Sequence, residues 1–259
     1  MFKIIKKKNY RQIKFFKNKI VGITGINGSL GKSLGKSLKL RGSYVIGFSH
    51  INSSKKNFNN NIDYKDYADE NIFWECGKER FLKKAFSKID ILIINHGINL
   101  NGFQSDDYFL ESIEVNSLSV LRLINLFENL KIGIKQDLSN CSEIWINTSE
   151  SEVLPSLSMS YELSKRLIGQ VVSYKRYLIN KNKKKKVKLK KLILGSFRSK
   201  LNPIGIMDPD IVAERILNKI EKNENVIVTP FLPSYFLIPI NEFLRNLYYS
   251  FITFINKKF

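Results

Sequence analysis

Tyr161 and Lys165 stand four residues apart in Ser160-Tyr161-Glu162-Leu163-Ser164-Lys165. On a helix this spacing puts both on one face, one turn from each other. An ammonium there is expected to lower the phenol's pKa and make it a proton donor and acceptor near neutral pH. Alone, Tyr-x-x-x-Lys occurs on many surface helices. Here it follows three other features in order: a glycine-rich turn after the first strand, Asn95-His96-Gly97-Ile98, and Asn147-Thr148-Ser149.

The turn Thr24-Gly25-Ile26-Asn27-Gly28-Ser29-Leu30-Gly31 lies between a short apolar strand and an amphipathic helix. A tight turn without bulky side chains lets a pyrophosphate rest on backbone N–H groups at a helix N-terminus. Cofactor choice is read at the end of the second strand. An acid there would hold a ribose 2′-hydroxyl. Phe48 is instead followed by Ser49, His50 and Ile51, with no carboxylate before Asp63. Ser49 and His50, with Lys32, Lys55 or Lys56 near them, suit a 2′-phosphate, so NADP is expected over NAD.

Around these residues the chain alternates strand and helix. Strands are expected at 20–24, 44–48, 71–74, 89–95, 143–147, 189–194 and 226–229. Helices are expected at about 29–41, 77–87, 106–129, 159–179 and 209–222, with a loop over 49–66. The run Ile89-Asp90-Ile91-Leu92-Ile93-Ile94-Asn95 reads as a strand covered on both faces. Such alternation predicts an α/β fold, a doubly wound parallel sheet of the NAD(P)-binding Rossmann type, in a single domain at 20–230. A basic N-terminal arm (1–19) precedes it. An aromatic, amphipathic C-terminal segment (231–259) follows it.

The formal net charge is +20. Residues 1–19 carry seven Lys and one Arg without an acid, and residues 180–191 carry eight Lys without an acid. Those segments hold 16 of the 20 excess charges, so the remainder is nearly balanced. A nucleic-acid binder would spread basic residues and aromatics over a folded face, so none is expected as partner. An arm and a basic loop fit better. Only His50 and His96 are available as imidazole ligands, and Cys76 and Cys141 lack metal-ligand spacing. No metal site is expected, and the cysteines read as reduced thiols. The N-terminus lacks an apolar run suited to a signal peptide or anchor, so the expectation is a cytoplasmic protein. Residues 231–254 are aromatic but interrupted by Asn241, Glu242, Arg245 and Asn246, too polar for a membrane span. They read as a helix packed on the body or on a second subunit. A peripheral membrane contact helped by Lys257 and Lys258 is the alternative.

Over residues 19–230 the chain resembles the short-chain dehydrogenase/reductase superfamily. Within it, the chain is similar to cyanobacterial short-chain dehydrogenase-like proteins often associated with a sterol-desaturase or fatty-acid-hydroxylase domain. The resemblance rests on Gly22-Ile23-Thr24-Gly25 through Gly31, Asn95-His96-Gly97-Ile98-Asn99 and Asn147-Thr148-Ser149-Glu150. Tyr161-Glu162-Leu163-Ser164-Lys165 and Ser199-Lys200-Leu201-Asn202-Pro203-Ile204-Gly205 add to it. It implies a carbonyl–alcohol oxidoreductase in which Tyr161 protonates the developing alkoxide and Lys165 holds the ribose. Ser149, with Thr148 as the substitute, would orient the carbonyl. Asn116 would anchor a proton-relay water.

The implied cofactor contacts are Gly25, Asn27, Gly28, Ser29, Leu30, Gly31, Ser49, His50, Asn95, His96, Gly97, Tyr161, Lys165 and Ser199. Glu75 and Cys76 would lie beside adenine, and His96 is more structural than catalytic. The chain departs from the pattern at two places. The middle glycine is Gly28 rather than residue 29, and no proline stands in Leu194-Gly195-Ser196-Phe197-Arg198-Ser199. These departures leave open a non-catalytic nucleotide-binding sensor or assembly protein on the same fold. The resemblance also implies a homo-oligomer. The aromatic tail points weakly to a lipid-like substrate.

Overall fold

The computed structural model describes residues 15–50, 63–99, 105–131, 141–181, 187–229 and 234–255. Lys55, Lys56, Lys257, Lys258 and the arm before residue 15 lie outside them. Seven strands are described: β1 Ile20–Thr24, β2 Tyr44–His50, β3 Glu70–Trp74, β4 Ile91–Ile94, β5 Ser142–Ser149, β6 Val187–Leu194 and β7 Val226–Thr229. They form one sheet in the order β3-β2-β1-β4-β5-β6-β7, with every pairing parallel. This is the expected doubly wound sheet. Every residue of β4 and β5 is buried, which is why those strands are nearly free of an exposed, alternating face.

Helices cover both faces. On one face α1 Ser29–Leu40 and α6 Pro209–Glu221 pack Leu30, Leu34, Leu38, Val212 and Ile216 onto β1 and β6. On the other, α2 Lys83–Lys88, α4 Ser119–Lys131 and α5 Met159–Lys181 bring Phe86, Phe127, Ile168 and Val172 against the strands. The sheet order reverses between β1 and β4. Connections leaving their carboxyl ends diverge there and open a crevice.

The structure revises several sequence expectations. The folded body already includes Phe16, which is fully buried edge-on against Trp145. The long helix expected over 106–129 is three pieces: α3 Asp106–Ile113, a π turn Glu114–Leu118, and α4. Strand β6 begins at Val187, so the basic run is not all solvated loop. Lys190 and Lys191 are fully buried in that strand. The C-terminal segment forms α7 Ser234–Ile255, whose Ile238 packs on Ile193 and Val228. Among the described residues no helix is long and apolar enough to cross a membrane.

Candidate active site

The glycine turn is built for close approach. Gly25 has φ +66° and passes its N–H to Phe48 O. A Cβ on Gly31 would lie 2.3 Å from Gly25 O, so α1 and the turn touch backbone to backbone. The first turn of α1 has no side-chain cap and no acid. Its N–H groups and the positive end of the helix dipole therefore suit a phosphate group. The displaced middle glycine is accommodated: Gly28 donates to Gly25 O at 3.0 Å, and Ser29 begins the helix. These residues fit the pyrophosphate of a dinucleotide.

Hydrogen bonds tie the carboxyl ends of β1, β4 and β5 together. Thr24 Oγ1 accepts the Asn95 N–H at 2.9 Å and lies 2.9 Å from His96 Nδ1. Asn95 donates its amide to Gly25 O, and Asn147 donates to Asn95 Oδ1 at 2.5 Å. His96 Nε2 lies 3.3 Å from Ser119 Oγ, and the ring meets Trp74 edge-on. Burial, reinforced by the Lys165 charge, lowers the His96 pKa to about 3. A neutral imidazole held on both nitrogens is a brace.

Asn116 lies inside the π turn and is fully buried. Its amide clasps Ile98: Oδ1 accepts the Ile98 N–H and Nδ2 donates to Ile98 O, each at 2.9 Å. Nδ2 also reaches Ser164 Oγ on α5. A Cβ on Gly97 would lie 2.9 Å from Asn116 Oδ1 and 3.7 Å from Lys165 Nζ. Glycine there lets the loop after β4 sit directly on both residues.

The hydroxyls of Thr148 and Ser149 part company. Thr148 Oγ1 donates to Glu152 at 2.7 Å and lies 3.2 Å from Leu192 O. Ser149 Oγ donates to Ser151 Oγ at 3.1 Å and lies near enough to the Tyr161 phenol to lower its pKa. Ser149, Tyr161 and Lys165 thus converge, and Thr148 is directed away. The expected direction of the phenol's shift is reversed. Burial raises the Tyr161 pKa, against which the Ser149 hydroxyl works. The reason is placement: Lys165 Nζ sits over the Tyr161 ring, 5.5 Å from its centroid, rather than at the hydroxyl. Lys165 is itself lowered to about 8 by burial, opposed by the Glu152 charge.

Asn95, His96, Gly97, Ser149, Tyr161 and Lys165 border a cleft of about 600 Å³. Ser199 lines it and closes a turn with Asn202 through Ser199 N–H to Asn202 O at 3.0 Å. Leu201, Pro203 and Ile204 also line it. Two cleft-lining acceptors, Asn99 Oδ1 and Asn147 Oδ1, are buried without a hydrogen-bond partner among the described residues. Ser49 is buried, its hydroxyl accepting from Asn27 and donating to Asn71, so it braces the turn. His50 is exposed. Glu75 pairs with Lys78 at 2.7 Å. Sequence reasoning missed Thr24, Asn147 and Glu152 as site-building residues. The first two border named motifs; Glu152 carries no local signal.

The fold matches solved structures. A short-chain dehydrogenase from Sphingobium yanoikuyae in complex with NADPH superposes with TM-score 0.70 at 16% identity, over 88% of this chain and 94% of that one. The chain has the short-chain dehydrogenase/reductase fold. A Burkholderia cenocepacia short-chain dehydrogenase in complex with NADP gives TM-score 0.67 at 15% identity, over 83% and 89% of the two chains. The aldohexose dehydrogenase of Thermoplasma acidophilum gives 0.62 at 15% identity, over 83% and 93%. No family model matches the sequence. In sequence, the chain is 35% identical over 243 residues to the monoglucosyldiacylglycerol epimerase of Synechocystis sp.. That match covers 92% of this chain and 55% of the relative, so the chain spans about half the length of that protein.

Proposed function

We propose that the chain is an NADP-dependent oxidoreductase of CH–OH groups that uses this chemistry to epimerise a sugar hydroxyl on a glycolipid. The observation that carries the reading is the convergence of Ser149, Tyr161 and Lys165 at one cleft, in a fold whose glycine turn fits a pyrophosphate. A bound nicotinamide would supply the hydride acceptor and donor. Tyr161 takes the hydroxyl proton as the carbonyl forms and returns it as the carbinol re-forms. Ser149 holds the substrate oxygen at the phenol. Lys165 supplies positive charge beneath it, and Asn116 fixes the loop on which the site rests. Hydride leaving one face of the carbon and returning to the other inverts the centre with no net oxidation.

The substrate class draws on three supports. The 35% identical relative is an epimerase of a glucosyl lipid. Asn99 Oδ1 and Asn147 Oδ1 are waiting acceptors, matched to the donors of a polyhydroxylated headgroup. Leu157 and Ile204 border the cleft and are 95% and 76% exposed, which suits acyl chains leaving its mouth. NADP is preferred over NAD because no carboxylate follows β2 until Asp63, while exposed His50 stands at its end.

Reduced-nicotinamide fluorescence with NADPH and NADH tests the cofactor. Tighter NADPH binding is expected, and a His50→Glu variant should erode that preference. Incubation with monoglucosyldiacylglycerol and NADP tests the reaction by lipid analysis. An epimeric monohexosyl lipid from the wild-type chain but not from Tyr161→Phe is expected. Failure to bind either nucleotide would transfer the reading to a non-catalytic protein.

A further inference from the structure

Helix α7 is inside out. Its two charged residues, Glu242 and Arg245, point into the protein. Glu242 accepts from Lys191 at 2.8 Å and from Arg176 at 3.0 Å. Arg245 donates to Glu152 at 2.8 Å and to Glu242 at 2.9 Å. Burial alone would raise the Glu242 carboxyl, but the Lys191 and Arg176 charges hold it at about 2. The opposite side of α7 bears no charge. Phe236, Ile240, Phe243, Leu244, Leu247 and Phe251 are each 53–65% exposed along it. A surface helix in water normally does the reverse, placing charge outward and apolar residues inward. A contiguous apolar patch of this kind marks a contact surface.

We propose that this face of α7 lies on a lipid bilayer, in its plane, with the mouth of the cleft at the same surface. Three observations select a bilayer over a folded partner. First, α7 begins near the cleft: Ile238 packs beside Val153, the residue before Leu154, which lines the cleft. Leu157 and Ile204, which line the cleft, are also exposed apolar residues. A folded partner covering both would close the mouth, whereas a bilayer would present a lipid headgroup to it. Second, charge is complementary to anionic lipids. Lys181 donates to Thr253 near the far end of α7, which puts a basic residue beside the helix. Basic residues beside an in-plane apolar helix add attraction to anionic headgroups. Third, the face combines phenylalanine and leucine with one tyrosine, Tyr248, and the helix is not apolar enough to span. That composition suits burial at the headgroup–acyl boundary. The argument at the cleft mouth rests on the glycolipid reading above; the charge inversion of α7 does not.

Flotation of the full chain with vesicles tests the proposal without substrate or nucleotide. Vesicles of phosphatidylcholine, with and without phosphatidylglycerol, are the probes. Wild-type protein is expected to float with both, more strongly with the anionic lipid, and high salt should remove only that excess. The double variant Phe243→Glu/Leu247→Glu should lose binding by about tenfold or more, because each substitution forfeits apolar burial worth more than a kcal/mol. Both sites are outward-facing, so unchanged far-ultraviolet circular dichroism and unchanged nucleotide affinity are expected of it. Equal flotation of wild type and double variant would overturn the proposal. So would absence of flotation combined with a concentration-dependent dimer that the double variant dissolves, which would assign the face to a second copy. Flotation without any epimerisation would leave this surface standing and refute the glycolipid reaction alone.

Discussion

Lys165 and Lys191 are both buried, both lie near Glu152, and are in opposite electrostatic circumstances. Lys191 on β6 spends its ammonium on four acceptors: Glu152 at 2.6 Å, Glu242 and Ser173 at 2.8 Å, and Gly169 O at 3.1 Å. Lys165 on α5, one strand away, makes no side-chain hydrogen bond among the described residues and sits over an aromatic ring beside the cleft. A buried charge with full hydrogen bonding is a structural fixture, and removing its partners is costly. A buried charge without it is held in place by its surroundings and is available to a ligand. The chain invests its ion pairs in the region beneath the site and withholds them from the site itself.

The comparison predicts opposite phenotypes for the same substitution. Lys191→Met should destabilise the fold by about 3–5 kcal/mol, since Glu152 and Glu242 would lose a shared cation. Lys165→Met should leave stability unchanged or raised, because an unpaired buried charge is removed. Its loss should fall on turnover, by about 10²–10⁴-fold, in the range of a lost proton-transfer contribution. Denaturant melts and turnover assays of the two variants decide the matter. A destabilised Lys165→Met, or a stable Lys191→Met, would erase the distinction.

A pH series sharpens it. The folded pKa of Lys165 is about 8, below its ordinary 10.5. Between these values the unfolded chain holds a proton that the folded chain has released, so stability should rise with pH across that window. On the acid side the sign is the same. His96 stays neutral in the fold until about pH 3, whereas the unfolded residue protonates near 6.5. Stability should fall as pH drops from 6.5 toward 3. Glu242 is depressed to about 2, so its contribution is present above 4.5 and is lost as pH falls from there. His96→Gln should flatten the slope above pH 4.5 and leave the Glu242 portion. Urea midpoints across pH measure both.

How much of this was readable in the chain differs between the two lysines. Lys165 was legible because its partner Tyr161 is four residues away and the spacing is local. The glycine turn and Asn95-His96-Gly97 were legible for the same reason: each is a short contiguous pattern whose geometry follows from the backbone. Lys191 was placed in the strand 189–194 but counted in the basic run, and its burial was missed because its anions, Glu152 and Glu242, are 39 and 51 residues away in sequence. Ser49 was read as a phosphate contact although Asn71, 22 residues on, takes its hydroxyl. The π turn at Asn116 was hidden too. Helical periodicity runs through 106–129, and only the clasp on Ile98 reveals why the register shifts there. The phenol's shift was misjudged since spacing gives proximity but not whether an ammonium meets the hydroxyl or the ring.

The smallest expected effect separates adjacent hydroxyls across the boundary between these regions. Thr148 belongs to the lower network through Glu152, and Ser149 to the cleft through Tyr161. Thr148→Val keeps the shape and removes one buried hydrogen bond, so it should cost about 1 kcal/mol of stability and little turnover. Ser149→Ala should leave stability within about 1 kcal/mol while lowering turnover about tenfold to a hundredfold, the scale of one positioned hydrogen bond at a reacting oxygen. Residues one position apart on a strand point to opposite sides, so the two substitutions address the sheet edge from below and from above. If Thr148→Val carried the larger loss of turnover, the catalytic hydroxyl would be Thr148. The Glu152 network would then belong to the chemistry rather than to its foundation.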